Sequence, residues 1–182
     1  YISLIKSNNE LLLRLINDVL DISKIESGMV SFVYTDVYLP SAMRDMYNVM
    51  QLRMPENVEL VLDPCPDIMI RTDNNRMVQI LSNLLTNAIK HTSCGSIRFG
   101  YTLEGDRVHF HVSDTGKGIP EKELDHIFGR FVQLKGAYNG IGLGLAISKG
   151  LVNKMGGEIS VSSKVGEGST FRFTLPLANI LS

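Results

Sequence analysis

The chain has 182 residues, of which 44% are hydrophobic and 20% are charged, and this composition excludes intrinsic disorder and supports one full hydrophobic core. Lysine and arginine number 18 and aspartate and glutamate 19, so the formal net charge of −1 argues against a nucleic-acid binder driven by bulk electrostatics. Cys65 and Cys94 are too few for a disulfide framework or a four-ligand zinc site, and we expect a cytoplasmic setting. The chain begins at Tyr1 without a signal peptide, which suggests a fragment and leaves membrane anchoring of the parent protein open.

The first half of the chain opens with an amphipathic helix over residues 3–26, where apolar residues recur every three or four positions and Gly28 follows as a stop. Such a helix cannot bury its apolar face alone, so it packs against a partner helix or second chain, or against its own domain. Asp73 is placed to cap another helix, which has one apolar face and reaches Lys90. Between them the pattern predicts strands over 31–38, 58–62 and 68–71 and a helix from beyond Pro40 towards Arg53.

The second half is divided by glycines, since all 16 except Gly28 lie between Gly95 and Gly168. Such stretches mark loops whose backbone needs unusual torsions or close approach. Hairpin-linked strands mixed with helices favour an α/β two-layer sandwich over an alternating parallel sheet. The predicted elements are a hairpin over 96–103 and 108–113, a short helix after Pro120, a helix from near Gly144 to Gly156, and closing strands over 158–163 and 170–175.

Residues 114–119 read Asp-Thr-Gly-Lys-Gly-Ile at the end of a predicted strand. A carboxylate beside two glycines can accept a hydrogen bond from a flat donor that lies against the backbone, and an adenine amino group is such a donor. The same pattern is common in ordinary turns, so by itself it leaves both interpretations open. The glycine after Lys117 excludes a Walker phosphate loop, which has serine or threonine at that position.

A second glycine motif, Gly-Ile-Gly-Leu-Gly-Leu over residues 140–145, leads directly into a predicted helix. Closely spaced glycines before a helix expose consecutive backbone N–H groups at its positive end, which suits phosphate groups. Close packing of the helix is the alternative interpretation. The spacing disfavours a Rossmann site.

A polar stripe formed by Asn83, Asn87 and Lys90 lies opposite the apolar face of the predicted helix. Neutral amide oxygens can ligate Mg²⁺ while water and phosphates complete its octahedron, and a lysine can neutralise a phosphate as a point charge. Taken alone, the stripe is equally well explained as a solvated helix face.

The order of these motifs carries more information than any one of them. Asn-x-x-x-Asn-x-x-Lys is followed by Asp-x-Gly-x-Gly, Phe128-Gly129-Arg130-Phe131, Gly-x-Gly-x-Gly-Leu and Gly-x-Gly-Ser-Thr-Phe. Across residues 31–178 this series closely resembles the catalytic ATP-binding domain of sensor histidine kinases, whose Bergerat fold is shared with gyrase, heat-shock chaperone and mismatch-repair ATPases. The resemblance implies a two-layer sandwich with a mixed, mostly antiparallel sheet, helices on one face, and one amphipathic helix in front.

The resemblance also implies a division into two domains. Residues 1–28 look like the end of a dimerisation and phosphoacceptor domain that would make the full-length protein a homodimer, and 29–182 would be the catalytic ATP-binding domain. In this family the γ-phosphoryl group of ATP passes to a histidine of the same or a partner chain and then to a response regulator. None of the four histidines here precedes an acidic residue, so the acceptor is expected upstream of Tyr1 and the chain alone is not expected to autophosphorylate.

The motifs that match the family imply a role for each position. Asp114 would bind the adenine amino group, Asn87 would be the principal Mg²⁺ ligand with support from Asn83, and Lys90 would reach the phosphates. Thr170 would join the adenine network. His91, where the family usually has an aromatic residue, would approach the adenine or ribose, with an exposed helix-terminal histidine as the alternative. The other residues expected around ATP or ADP are Gly116, Gly118, Ile119, Phe131, Lys135, Gly140, Ile141, Gly142, Leu143, Gly144 and Leu145.

Two further interpretations remain open at this stage. An ATP hydrolase of the same superfamily would carry a glutamate, as water-activating base, where Asn83 stands. A nucleotide-sensing module without catalysis would act through the helix over 3–26. In either kinase or sensor, the lid over 131–140 is expected to be mobile without nucleotide.

Overall fold

The computed structural model describes residues 2–132 and 142–178. The elements are α1 (Ile2–Glu26), β1 (Thr35–Tyr38), α2 (Leu39–Gln51), β2 (Val58–Leu62), β3 (Met69–Thr72), α3 (Asn74–His91), β4 (Gly95–Glu104), β5 (Arg107–Asp114), α4 (Glu121–Leu124), α5 (Gly144–Lys154), β6 (Ile159–Lys164) and β7 (Gly168–Pro176).

The larger sheet has the strand order β2-β4-β5-β7-β6, with β2 and β4 parallel and the other neighbours antiparallel. One face is apolar and packs against α3 and α5, and its aromatic rings include Phe110, which stacks on Phe173 at a centroid distance of 4.6 Å. The other face carries polar side chains such as Arg98 and Arg172, as expected for a half-solvated antiparallel sheet. The predicted two-layer sandwich with a mixed, mostly antiparallel sheet is therefore confirmed.

The predicted boundaries are least accurate around β1. The strand expected over 31–38 is reduced to Thr35–Tyr38, because its partner β3 has only four residues and the two form a separate small sheet. The N–H of Val33 donates instead to the Asp73 carboxylate at 2.8 Å. Helix α2 begins at Leu39, so Pro40 lies in its first turn, where a missing N–H leaves no helical hydrogen bond unmade.

Asp73 caps α3 as predicted. Its Oδ1 accepts a hydrogen bond from the N–H of Arg76 at 3.0 Å, which satisfies one of the free donors of the first helical turn. The helix ends at His91, one residue beyond the predicted end. The predicted apolar face is buried and consists of Met77, Ile80, Leu81, Leu84, Leu85 and Ala88.

The last turns of α1 pack against the sandwich. A Cβ built on Gly150 of α5 would lie 2.7 Å from Cγ2 of Ile25, so the absence of a side chain there lets α1 approach closely. Asp21 accepts a hydrogen bond from Gln79 at 2.7 Å and lies 3.5 Å from Arg76, and Glu26 pairs with Arg130. Earlier in α1 the apolar residues Leu12, Leu13, Ile16, Val19 and Leu20 are exposed.

The end of the helix thus packs on its own domain, which was one alternative considered from the sequence, and the apolar stripe before it is exposed. Packing of that stripe against a partner helix or a second chain stays a prediction. Within the described residues, no helix has the length and apolar character needed to cross a membrane.

We expect Phe110→Ala to lower the free energy of unfolding by about 3–5 kcal/mol, because it removes a buried ring and its stacking on Phe173. Urea denaturation followed by circular dichroism measures this change. Leu103→Ala lies on the same hairpin, but Leu103 is 38% exposed, and this control should cost less than about 1 kcal/mol. Equal losses for the two variants would contradict the assigned core.

Candidate functional site

A buried carboxylate stands at the end of β5. Asp114 is 8% exposed, and its Oδ1 accepts a hydrogen bond from the N–H of Gly116 at 2.9 Å. Burial raises the pKa of this carboxyl group, and hydrogen bonds from the backbone of Gly116 and Ser169 oppose that rise. The remaining acceptor capacity of the carboxylate is available to a donor that can reach it.

The turn after Asp114 fits only glycine at two positions. A Cβ on Gly116 would lie 2.3 Å from the carbonyl oxygen of His91, the last residue of α3. A Cβ on Gly118 would lie 2.1 Å from the carbonyl oxygen of Lys164, and its φ of 70° is unfavourable for other residues. The turn is therefore pressed between the end of α3 and the end of β6, and it offers bare backbone beside the carboxylate.

The hydroxyl groups of Ser163, on β6, and Ser169, on β7, form a hydrogen-bond network beside this turn. Ser163 Oγ accepts a hydrogen bond from the N–H of Ile119 at 2.8 Å and donates to the carbonyl of Gly168 at 2.7 Å. It also lies 2.9 Å from the hydroxyl of Ser169, which stands opposite Asp114 in the register of β5 and β7. Ile119 is buried in the core, so it anchors the turn.

The role expected of Thr170 in an adenine network stays a prediction, and the structure shows on which face of the sheet this residue lies. Thr170 lies on the outer face of the sheet, and its hydroxyl is 3.0 Å from that of Ser113, whereas Asp114 belongs to the inner face. The hydroxyl on the side of Asp114 is that of Ser169. Strand alternation contained this signal, because Ser169 has the same parity as the core residues Phe171 and Phe173.

Two asparagines of the polar stripe of α3 differ in their hydrogen bonds: Asn83 bonds to α5, whereas Asn87 does not. The amide of Asn83 donates to the carbonyl of Gly144 at 3.2 Å and to Ser148 Oγ at 3.3 Å, which ties α3 to the start of α5. One turn later, the half-buried amide of Asn87 makes no hydrogen bond to the residues that the structure describes. Lys90 follows on the same stripe, and burial together with the nearby Lys117 ammonium lowers its pKa.

His91 ends α3 beside the glycine turn, and its carbonyl accepts the N–H of Lys117 at 3.3 Å. The imidazole is half-buried, so the alternative of a fully exposed helix-terminal histidine does not describe it. Burial and the ammonium groups of Lys117 and Lys90 lower the pKa of His91 to about 4. The ring is therefore neutral near pH 7, and its approach to a nucleotide stays a prediction.

Val132 and Gly142, the described residues on either side of 133–141, meet at the entrance to α5. A Cβ on Gly142 would lie 2.4 Å from the carbonyl oxygen of Val132, and Gly142 has a φ of 73°. Phe131 is 64% exposed and has a φ of 57°, a conformation that non-glycine residues rarely adopt. Leu143 is buried and Leu145 half-buried, so both fix the start of α5 to the core. Lys135, Gly140, Ile141 and most of the predicted lid over 131–140 lie outside the described residues.

The Phe-Gly-Arg-Phe motif over residues 128–131 contacts other elements through Phe128 and Arg130. The ring of Phe128 meets Phe171 edge-on at 6.3 Å, and Lys149 Nζ of α5 lies 5.5 Å from its centroid. Arg130 pairs with Glu26 at the end of α1. Sequence reasoning gave no role to Lys117, Arg130 and Ser169, although all three lie inside the motifs. Ser163 and Lys149 lie outside the motifs, and only the fold brings them to this region.

The proposed site has two parts. One is a flat backbone surface beside the Asp114 carboxylate, and the other is a polar region formed by α3 and the start of α5. The surface of bare backbone at Gly116 fits an aromatic base whose amino group donates to Asp114. The polar end contains an amide oxygen, an ammonium group and the N-terminus of α5, which together suit phosphates and a hard cation. Asn87 fits Mg²⁺ chemically, since its amide oxygen is neutral and makes no hydrogen bond within the described residues.

Comparison with known proteins agrees with this geometry. Residues 72–179 match the family described as histidine kinase-, DNA gyrase B-, and HSP90-like ATPase. The chain is 42% identical to the circadian input-output histidine kinase CikA of Synechococcus elongatus, over 97% of this chain and 24% of that protein. It is 40% identical to the aerobic respiration control sensor protein ArcB of Escherichia coli, over 87% of this chain and 22% of that protein.

A solved structure extends the likeness to the whole chain. Full-length ShkA in complex with AMPPNP superposes with a TM-score of 0.87 at 32% identity, over 100% of this chain and 39% of that one. The fold and site therefore define an ATP-binding domain, and the chain belongs to the histidine kinase-, gyrase B- and HSP90-like ATPase family. Within that family it is a catalytic ATP-binding domain of the sensor histidine kinase type. The chain spans about a quarter of the length of the curated relatives named here.

We expect His91 to remain neutral down to about pH 5 and to titrate near its pKa of about 4. Because this pKa lies below the ordinary value of 6.5, the folded state binds fewer protons, and stability is lost as pH falls from 6.5 to 4. Lys117→Met removes one neighbouring ammonium group and should raise the pKa. NMR titration of the imidazole protons measures both values, and an ordinary pKa in the unsubstituted chain would contradict the half-buried position.

Proposed function

We propose that this chain binds Mg²⁺ and ATP and presents the γ-phosphoryl group to a histidine on a helix of the same or a partner chain, within a two-component sensor kinase. The observation that carries the proposal is a series of contacts that links three elements. The turn bonded to Asp114 packs against the end of α3, and Asn83 of α3 bonds to the start of α5. The relative CikA, which is named as a histidine kinase, supports the same activity.

The adenine would lie on the backbone of Gly116 with its amino group donating to Asp114. Ser169 takes the place expected for Thr170, because its hydroxyl is on the correct face and its backbone already bonds to Asp114. His91 would stand at the edge of the base or ribose, where a neutral ring costs less to bury than a charged one.

The phosphates would lie between α3 and the start of α5. Asn87 would hold Mg²⁺, which supplies neutralisation of the phosphate charge when it is bound. Lys90 would neutralise a phosphate oxygen, and the N–H groups following Gly142 would donate to others. Lys135, Gly140 and Ile141 keep their proposed places at the lid.

Transfer, and not hydrolysis, is the reaction that the polar stripe supports. Asn83 stands where the related hydrolases carry a catalytic glutamate, and its amide donates to Gly144 and Ser148. An amide cannot accept a proton from water, so the chain lacks a general base at that position. Catalysis would be positional and electrostatic, with the γ-phosphoryl group held in line with an acceptor imidazole.

The exposed stripe of α1 supports a homodimer in the parent protein. Leu12, Ile16, Val19 and Leu20 are each about half exposed, and burying them needs a second helix. Residues 1–28 would then belong to a dimerisation domain and 29–182 to the catalytic domain. The phosphoryl group would pass on to a response regulator, and dependence on ATP places this part of the protein in the cytoplasm.

Asp114→Asn should weaken ATP binding by roughly tenfold to a hundredfold, since the amide can direct a donor at the adenine amine in place of an acceptor and a charged hydrogen bond contributes about 1.5–3 kcal/mol. Isothermal titration calorimetry with ATP and Mg²⁺ measures the change.

Two hydroxyl deletions on neighbouring residues of β7 form a matched pair, in which Ser169 is the test position and Thr170 the control. Ser169→Ala should weaken binding, and Thr170→Val, on the outer face, should leave it within about twofold of the unsubstituted chain. Unchanged affinity in Asp114→Asn would remove the adenine assignment.

With γ-labelled ATP the 182-residue chain should bind nucleotide but acquire no acid-labile phosphohistidine. A longer version of the protein that includes an acceptor helix should become labelled, and Asn87→Ala should abolish labelling there. Label on any of the four histidines of this chain, or rapid multiple-turnover hydrolysis of ATP, would contradict the proposed transfer.

A further inference from the structure

A concave surface lies on the side of α3 that faces away from Asn83 and Asn87. It is a groove of about 540 Å³ between α2 and α3, with β1 at one end, and none of the residues assigned to nucleotide lines it. Its apolar lining is formed by Val37, Ala42, Met46, Val49, Met50 and Val78.

The groove has the length of a short helix. On α2 its lining runs from Ser41 to Met50, and on α3 from Asn74 to Ser82, which correspond to about 14 Å and 12 Å at 1.5 Å per residue. It is open along this length, since Val49 is 50% exposed. Pockets for small ligands usually enclose most of the ligand. This groove is open and two to three helical turns long, so it fits a helical segment of a partner protein better.

Exposed apolar side chains continue the groove at its rim. Leu52, directly after α2, is 89% exposed, and Met69, which pairs with Tyr38 across the small sheet, is 59% exposed. The floor contains the buried side chains of Met46 and Met50, and methionine adapts readily to different partners. An apolar groove with an exposed apolar rim is typical of a protein interaction surface.

The charges of the groove indicate what kind of helix fits. Asp45 lies in the middle of the α2 wall and makes no hydrogen bond or ion pair to the residues that the structure describes. Asp36, at the β1 end, lies 3.4 Å from Arg71, and Arg53 lies at the far end. The central position is therefore acidic, and a lysine or arginine of a partner would complement it.

We propose that the groove between α2 and α3 binds an amphipathic helix of a partner protein, with apolar anchors spaced by three or four residues and a basic residue against Asp45. Recognition by a helix in a groove uses anchors of this spacing. The surface is independent of the nucleotide assignments, so its test does not depend on ATP binding.

The test uses a 14-residue amphipathic peptide of leucine and lysine, and the same peptide with glutamate in place of lysine. Amide NMR spectra of the 182-residue chain should shift along α2, β1 and the 74–82 part of α3 when the lysine peptide is added. Asp45→Lys should weaken binding at least tenfold, and Asp106→Lys, the same charge change on the distant β4–β5 turn, should leave it within about twofold. Ala42→Trp should block the groove without altering ATP affinity.

Three results would overturn the proposal. Shifts confined to the exposed residues of α1 would show that its apolar stripe captures the peptide. Equal binding of the lysine and glutamate peptides, or unchanged affinity in Asp45→Lys, would exclude the charge assignment. No saturable binding at millimolar peptide would exclude the groove as a helix site.

Discussion

The contact between the end of α3 and the glycine turn after β5 is the constraint on which the proposed nucleotide site depends. Lys117 donates its N–H to the carbonyl of His91, and Gly116 leaves no room for a side chain against the same oxygen. This contact places the turn that follows the Asp114 carboxylate against the end of the helix that carries Asn87 and Lys90. Neither element could build the proposed site alone, because Asp114 and Asn87 belong to different layers of the sandwich.

The electrostatics at the end of α3 favour an anionic ligand before any ligand arrives. Lys90 and Lys117 repel each other, which contributes to the lowered pKa of Lys90, and both also disfavour a charge on His91. A polyanion placed between them would relieve this repulsion, so part of the cost of gathering the positive charges is offset on binding. The buried carboxylate of Asp114 belongs to the opposite end, where a neutral base would be recognised by hydrogen bonding.

Local patterns predicted those parts of the structure that local chemistry determines. The cap at Asp73 and the apolar face of α3 follow from side-chain type and helical spacing alone. The small sheet of β1 and β3 did not follow, because it depends on a pairing between residues more than thirty positions apart. The face of each hydroxyl on β7 follows from strand alternation, which puts Ser169 on the same side as Phe171 and Phe173 and Thr170 on the other. The groove between α2 and α3 was equally invisible, as it arises from tertiary packing.

The close packing of Ile25 against Gly150 limits how this domain can be joined to other proteins. Each residue of an α-helix turns the chain by about 100°, so the number of residues between the exposed stripe of α1 and Ile25 fixes the angle between any partner of that stripe and the sandwich. Inserting a single residue in this interval would rotate an attached module by more than a quarter turn. Chimaeras that graft a foreign sensor onto this domain therefore have to keep the helical phase relative to Ile25. Their junctions have to be spaced in whole heptads before that residue.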